Sequence, residues 1–412
     1  MFTMGLGQGI ALSGALISWS ALADAYCVSR YFIFSALCLA FAITGTPKRG
    51  LLTIPGLVYF GLLSLTALLA FKWVCFVGVR LNFFGAVFPM ALVGVCYSYS
   101  IGERWEKTAN AYILGCVIVA LMCLGQTKGL FSPQGDYFSG RVYACIGSPV
   151  FLSGVMAVAV TLCLGGLWTP FAIPLFLCVI LLTQSRAGLV AAAAGCLGYA
   201  YARGIISIKE ALGLCLAAAL ISVSLFSSLR NTSKSDQGRY QMARMAVKAV
   251  ADHPFGVGPE RFTWVIDTYR DKEFNAALGP TWSNAYVHNS LLEALLTGGP
   301  LFLIVHIGFA LSIALFLYRA NNPCVFGAAM ALGAFSLCQP CPLQLKCLLA
   351  CLAGSVDPSH RPISRAPFVI ASSLALAASL VCLTGAKIWA DGLQYGMADL
   401  IVYAQSFVPE NK

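Results

Sequence analysis

Apolar residues arrive in blocks, and short polar breaks part them. The blocks run at roughly 5–23, 30–45, 51–71, 82–100, 109–125, 149–168, 170–184, 187–202 and 211–229. After a more polar stretch they resume at roughly 289–318, 323–338, 343–354 and 367–386. Many approach the ~20 residues that a helix needs to cross a bilayer. Helix is the expected state, because in lipid every backbone group must be paired within its own segment. The first block lacks a basic flank and a small-residue cleavage site, so it reads as a first membrane helix rather than a removed signal. Gln339-Pro340-Cys341-Pro342 interrupts the run 323–354. Two short helices in a hairpin, giving thirteen helices in all, are the first expectation; one long broken helix, giving twelve, is the alternative. Ala191 to Gly195 form a small-residue face, expected to serve helix packing.

Composition agrees with this pattern. Of 412 residues 59% are hydrophobic and 10% charged, with mean hydropathy +0.81; soluble domains carry roughly 25% charged residues. The fold class is therefore all-α: a polytopic integral membrane protein with 12–13 transmembrane helices and one larger loop containing short amphipathic helices. The net charge of +10 is largely orienting charge, and no nucleic-acid module is present. With the N-terminus inside, Lys48-Arg49, Arg104, Lys107, Arg203, Lys209 and Arg319 fall on the cytoplasmic side, as the positive-inside rule prefers. Lys72, Arg80, Lys128 and Arg141 are exceptions, and residues 230–288 fall outside. Most of the 17 cysteines lie within apolar runs and act as small buried hydrophobes. Cys338-x-x-Cys341 stands alone, without a second pair at zinc spacing.

The chemistry concentrates around the polar stretch Arg230 to Gly299. Ser185-Arg186 opens the helix at 187–202, where an arginine either anchors to headgroups or forks onto phosphate. Gly238-Arg239 precedes an amphipathic helix at 239–251 with Met242, Met245, Ala246, Ala249 and Val250 as its apolar stripe, fit to lie on the membrane surface. Arg239 either binds phosphate at the start of this helix or is a solvated charge. Asp252-His253-Pro254-Phe255-Gly256-Val257-Gly258 is a tight turn. The Gly-x-Gly follows no strand, so it is not a dinucleotide fingerprint. Arg261, Phe262, Trp264, Tyr269, Phe274, Trp282 and Tyr286 follow, the aromatics as a sugar-stacking platform or an interfacial belt. His288, with Asn289 beside it to orient the ring, re-enters the membrane at a helix start and can take a proton near neutral pH. The bland alternative is a capping histidine. Glu260 and Glu293 are possible partners. His253 reads as turn chemistry, and His306 as a packed or paired polar residue. No Asp-x-Asp or His-rich cluster points to a metal site.

Together these residues resemble the O-antigen ligase and polymerase family of bacterial inner-membrane glycosyltransferases. The resemblance spans Gln184 to Gly299. It rests on Ser185-Arg186-x-Gly188, Gly238-Arg239, Asp252-His253-Pro254-x-Gly256-x-Gly258, and His288-Asn289-x-x-Leu292-x-x-Leu295-x-x-x-Gly299. The family pattern often has a second glycine where this chain has Phe302, which bears on packing rather than chemistry. The resemblance implies a periplasmic loop at 230–288 between a transmembrane bundle at 1–229 and further transmembrane helices and a tail at 289–412. It implies an undecaprenyl-diphosphate-linked glycan as donor and lipid A–core or another glycan as acceptor, within membrane lipid and without cofactor or metal. His288, Arg186 and Arg239 take the catalytic roles: the arginines hold the diphosphate, and His288 orients or deprotonates the acceptor hydroxyl. Ser185, Gly256, Gly258, Arg261 and Asn289 are the expected substrate-binding residues. The compact loop favours a ligase; a repeat-unit polymerase and a protein O-oligosaccharyltransferase are the alternatives within the family. A lipid-linked glycan flippase is the alternative of another class. A flippase needs ionisable residues facing a cavity within its helices, and apart from His306 this chain has almost none.

Overall fold

A computed structural model describes residues 8–10, 28–69, 82–130, 140–164, 166, 169–229, 233–259, 261–279, 286–339 and 341–395. All of the first expected helix except residues 8–10, which are helical, lies outside these residues, as do Glu260 and Trp282. Fifteen α-helices are described. α1 (Val28–Thr44), α2 (Thr53–Leu69), α3 (Asn82–Ser100) and α4 (Trp105–Thr127) lead to α5 (Pro149–Cys163), α6 (Thr169–Leu182), α7 (Arg186–Ala202) and α8 (Ile208–Leu229). The polar stretch forms α9 (Ser233–Asp252), α10 (Phe262–Tyr269) and α11 (Lys272–Leu278). α12 (Ser290–Arg319), α13 (Pro323–Ser336), α14 (Leu343–Ser355) and α15 (Ala366–Tyr395) complete the order. A two-residue antiparallel ladder joins β1 (Lys48–Arg49) to β2 (Arg361–Pro362). The run 323–354 is two separate helices, α13 and α14, because Pro340 and Pro342 cannot continue a helix.

The chain is an all-α membrane protein. Among the described residues Trp105–Thr127 and Ser290–Arg319 are long and apolar enough to cross a membrane, and seven shorter helices are apolar. Large apolar side chains stand outward in rows, such as Leu57, Leu65 and Leu68 on α2 and Leu212, Leu216 and Leu220 on α8. That pattern suits lipid contact, since outward apolar rows of this kind are costly against water.

At the centre, α7 lies against α5 and α13 through the small-residue face. A Cβ on Gly188 would overlap Ser153, one on Gly195 would overlap Thr161 and Ala331, and one on Gly198 would overlap Met330. These pairings run α5 parallel and α13 antiparallel to α7. Gly154 meets the Phe335 ring, so the C-terminal end of α13 and the N-terminal ends of α5 and α7 share one level. Close backbone approach through small residues is the usual way to gain packing energy where lipid removes the hydrophobic drive.

The polar stretch has its own apolar cluster. Met242, Met245, Ala246 and Ala249 are buried with Val257, Phe262, Val265, Ile266, Phe274, Val287 and Leu296. The apolar stripe of α9 is therefore spent on α10, α11 and the start of α12, not on the membrane surface. Phe262 and Phe274 are fully buried, so neither stacks a sugar nor sits in an interfacial belt. A Cβ on Gly238 would press on a methyl of Leu278 of α11.

α12 is two helices joined at Gly298 (φ −142°, ψ 22°) and Gly299 (φ 68°, ψ −166°), with Pro300 opening the second. The Gly299 conformation is essentially restricted to glycine. The turn 254–258 docks on this joint. Val257 N–H donates to Leu296 O at 2.8 Å and Gly258 N–H to Thr297 O at 3.0 Å, while a Cβ on Gly256 or Gly299 would enter the opposing backbone. Phe302 fills the space beside Gly298 and stacks on Tyr59 with ring centroids 5.3 Å apart. The bulkier residue is thus absorbed by an aromatic partner on α2. Tyr59 also hydrogen-bonds His306 Nδ1 at 3.0 Å, so His306 is a paired polar residue.

Candidate functional site

Three segments meet where the polar stretch covers the bundle: the α6–α7 turn, the first turns of α9, and the start of α12 against the α13–α14 turn.

The α6–α7 turn is held from outside. Gln184 takes φ 50°, a left-handed backbone that is costly for a residue with a side chain. Arg141, 42 residues earlier, donates from Nε to Thr183 O at 2.7 Å. Ser185 is the buried N-cap of α7 but makes no side-chain cap bond. Arg186 then leaves the first turn of α7 and forms an ion pair with Asp236 on α9, with about a fifth of its side chain exposed.

Arg239 lies one turn beyond Asp236. The helix begins at Ser233, six residues before the expected start. Arg239 therefore stands inside the helix, not at its N-terminus, and the amide dipoles there do not add to its charge. Burial lowers its proton affinity, and Arg186 adds to that effect while Asp236 and Cys338 oppose it. An arginine keeps its charge through such shifts.

His288 takes φ 62°, another strained left-handed position. Its Nδ1 lies 2.6 Å from Gln339 Oε1 in the α13–α14 turn. Burial is the first cause that lowers its pKa, the Gln339 bond pulls upward, and Arg239 pushes further down. The ring is thus neutral at physiological pH. Asn289 does not orient that ring. Its Oδ1 caps α12 through Leu291 and Leu292 N–H, and its Nδ2 donates to Leu337 O at 2.9 Å. Glu293 reaches back to Val287 N–H at 3.1 Å. Burial raises the pKa of the Cys338 thiol, and the charges of Arg239 and Arg186 act against it.

Arg239 thus stands in electrostatic contact with Arg186 on one side and His288 on the other. The structure does not bring Gly256 and Gly258 into this group; their contacts are the backbone of 296–299. Arg261 is the N-cap residue of α10 and makes no side-chain cap bond there. His253 makes its turn, accepting Gly256 N–H at 2.8 Å and meeting the Trp264 ring edge-on. Asp236, Gln339 and Arg141 escaped the sequence reading. They lie 50, 51 and 42 residues from their partners, and only the Gln-Pro break hinted at one of them. Among the described residues no group of three or more His, Cys, Asp or Glu gathers as metal ligands.

Two guanidiniums with one carboxylate between them leave a cationic surplus beside a neutral imidazole. Chemically this suits a phosphate-bearing leaving group and a proton acceptor side by side. A search of proteins of curated function finds no match to this chain. Residues 171–307 match the family model described as O-antigen ligase. That stretch holds Arg186, Arg239 and His288, and over it the chain is similar to the O-antigen ligase family.

Proposed function

We propose that this membrane enzyme transfers a glycan from undecaprenyl diphosphate to a hydroxyl of lipid A–core, at the periplasmic face and without a metal ion. The convergence of Arg186, Arg239 and His288 from three separate elements carries the reading. Arg186 and Arg239 hold the diphosphate. The acceptor oxygen bonds to the anomeric carbon as the bond from that carbon to the diphosphate oxygen breaks. The electron pair leaves with the diphosphate, whose growing charge the two guanidiniums stabilise. The hydroxyl proton passes to His288. Arginines thus supply the charge stabilisation that a divalent cation gives elsewhere.

The test is donor consumption by purified protein bearing His288→Ala, His288→Gln or His288→Asn, with protein level and melting temperature measured in parallel. General-base help is commonly worth about 10²–10⁴ in rate, so all three variants should lose transfer while staying folded. Near-normal transfer with Gln or Asn would make His288 a structural residue and end the base assignment. The acceptor is read from the products: glycan on lipid A–core supports ligation, whereas lengthening of lipid-linked glycan would replace it with polymerisation.

A further inference from the structure

The α13–α14 turn was a break in the hydrophobic pattern with no assigned role. Gln339 lies in it, almost fully buried. The turn is rigidly tied: the backbone N–H groups of Cys338 and Gln339 both donate to Phe335 O at 2.9 Å. Asn289 fastens Leu337 from the other side. His288 is equally fixed, in a left-handed backbone conformation immediately before the Asn289 cap. Between these two segments the His288 Nδ1 meets Gln339 Oε1 at 2.6 Å.

An amide oxygen only accepts hydrogen bonds. The nitrogen facing it must carry the proton. We propose that Gln339 is a positioning residue: its side-chain oxygen pins the His288 imidazole in the Nδ1–H tautomer, so that Nε2 offers its lone pair to the acceptor hydroxyl. This rests on the reading of His288 as the base. In water imidazole prefers the proton on Nε2, the form that has nothing to accept with at the reacting end. Gln339 reverses that preference. When the hydroxyl proton arrives on Nε2, the Nδ1–H stays on the amide oxygen and the ring becomes a doubly protonated cation.

The neutrality of Gln339 matters as much as its oxygen. The charge that acts on the ring is Arg239 on α9; Arg186 on α7, Asp236 on α9 and Cys338 in the same turn act on Arg239 in turn, and Glu293 on α12 bonds the neighbouring Val287 N–H. A carboxylate in place of Gln339 would hold the tautomer too, but it would favour the imidazolium before any substrate arrived. An amide sets the direction of the ring and leaves it unprotonated.

The test uses full-length protein in detergent or nanodiscs, with Gln339→Leu and Gln339→Glu. Diethyl pyrocarbonate reacts with unprotonated imidazole, and mass spectrometry of the His288 peptide reads its rate against pH without any glycan donor. Transfer is followed over the same pH range. With Gln339→Glu, the His288 titration and the acid limb of transfer should both move up by about one pH unit or more, with a rate near wild type on the alkaline side. With Gln339→Leu, turnover should fall about 10–100-fold, part of the general-base contribution, while KM for the donor stays within about 2-fold. An unmoved His288 titration in Gln339→Glu, or full turnover in Gln339→Leu, would overturn the proposal. A titration that moves while the acid limb of transfer stays put would show the contact to be real and His288 not to be the base, which sinks the functional reading as well.

Discussion

Two arginine clusters share α9, and they are built differently. Arg244 forks onto both oxygens of Asp271 at 2.7 and 2.6 Å and also pairs with Glu273, while Lys248 reaches Asp271 at 3.0 Å. Two cations there face two carboxylates. The other cluster sets Arg186 and Arg239 around one carboxylate among the described residues, Asp236. The first balances its charge and fastens α9 to α11, whose start Asp271 caps through Phe274 N–H. The second keeps a positive surplus, next to a neutral histidine and two strained backbone positions at Gln184 and His288. Nearness of arginines to a loop does not separate a staple from a site. Uncompensated charge does.

Balancing the second cluster should have the largest effect. The Cys338 thiol feels the charge of both guanidiniums, so Cys338→Asp places a carboxylate in their field. Transfer should fall about 100-fold, the order expected when two charge-assisted contacts to a phosphate are engaged elsewhere, and Cys338→Ser should stay close to wild type. Equal rates for the two variants would show that charge surplus is not what the site uses.

Removing the one carboxylate should act the other way and more weakly. On the proposed reading, Asp236 competes with an anionic donor for Arg186. Asp236→Asn should lower KM for the donor about 2–5-fold, an effect of the size seen for half-exposed ion pairs. A higher KM would mean instead that Asp236 is needed to aim the guanidinium.

The smallest effects belong to the balanced cluster. Arg244→Gln should cost up to ~1 kcal/mol of stability, since its partners are partly solvated, with transfer per folded molecule unchanged. Its pH response has a definite sign. Asp271 is held down to about 2, first by the Phe274 N–H and then by Lys248, with Arg244 adding to the effect. A carboxyl whose folded pKa is depressed contributes stability above its unfolded value and loses it as pH falls through the folded one. Hydrogen exchange in α11 should therefore accelerate between about pH 4 and 2, and this acceleration should shrink in Asp271→Asn. An unchanged profile in that variant would assign the loosening to another group.

Much of this architecture could be read from the sequence because it obeys periodic rules. Apolar blocks gave the helices of the bundle, and the Ala191–Gly195 face gave the close packing of α7. Arg186, Arg239 and His288 were legible as rare charged or titratable residues at segment ends. What escaped was settled by contacts across the chain. The stripe of α9 is the same whether it meets lipid or Phe262 and Phe274; only the fold of α10 and α11 decides. Gly256 and Gly258 read as a tight turn, but the joint at Gly298-Gly299 on which that turn packs is set by residues about 40 positions away. Asn289 next to His288 suggested a ring partner, yet its side chain is fully used on the α12 cap and Leu337. The true partner, Gln339, is a common residue type in a turn, and nothing local marks it.

The central claim is that Arg186 and Arg239, unlike Arg244, hold the diphosphate. The most direct measurement is the initial rate of glycan transfer from a lipid diphosphate donor by purified protein. Arg186→Lys combined with Arg239→Lys would be compared with Arg244→Lys. Lysine keeps the charge and loses the bidentate fork, and a charge-assisted hydrogen bond is worth ~1.5–3 kcal/mol. The account predicts a loss of at least about 100-fold in kcat/KM for the double variant and less than about 2-fold for Arg244→Lys. Wild-type transfer by the folded double variant would contradict it.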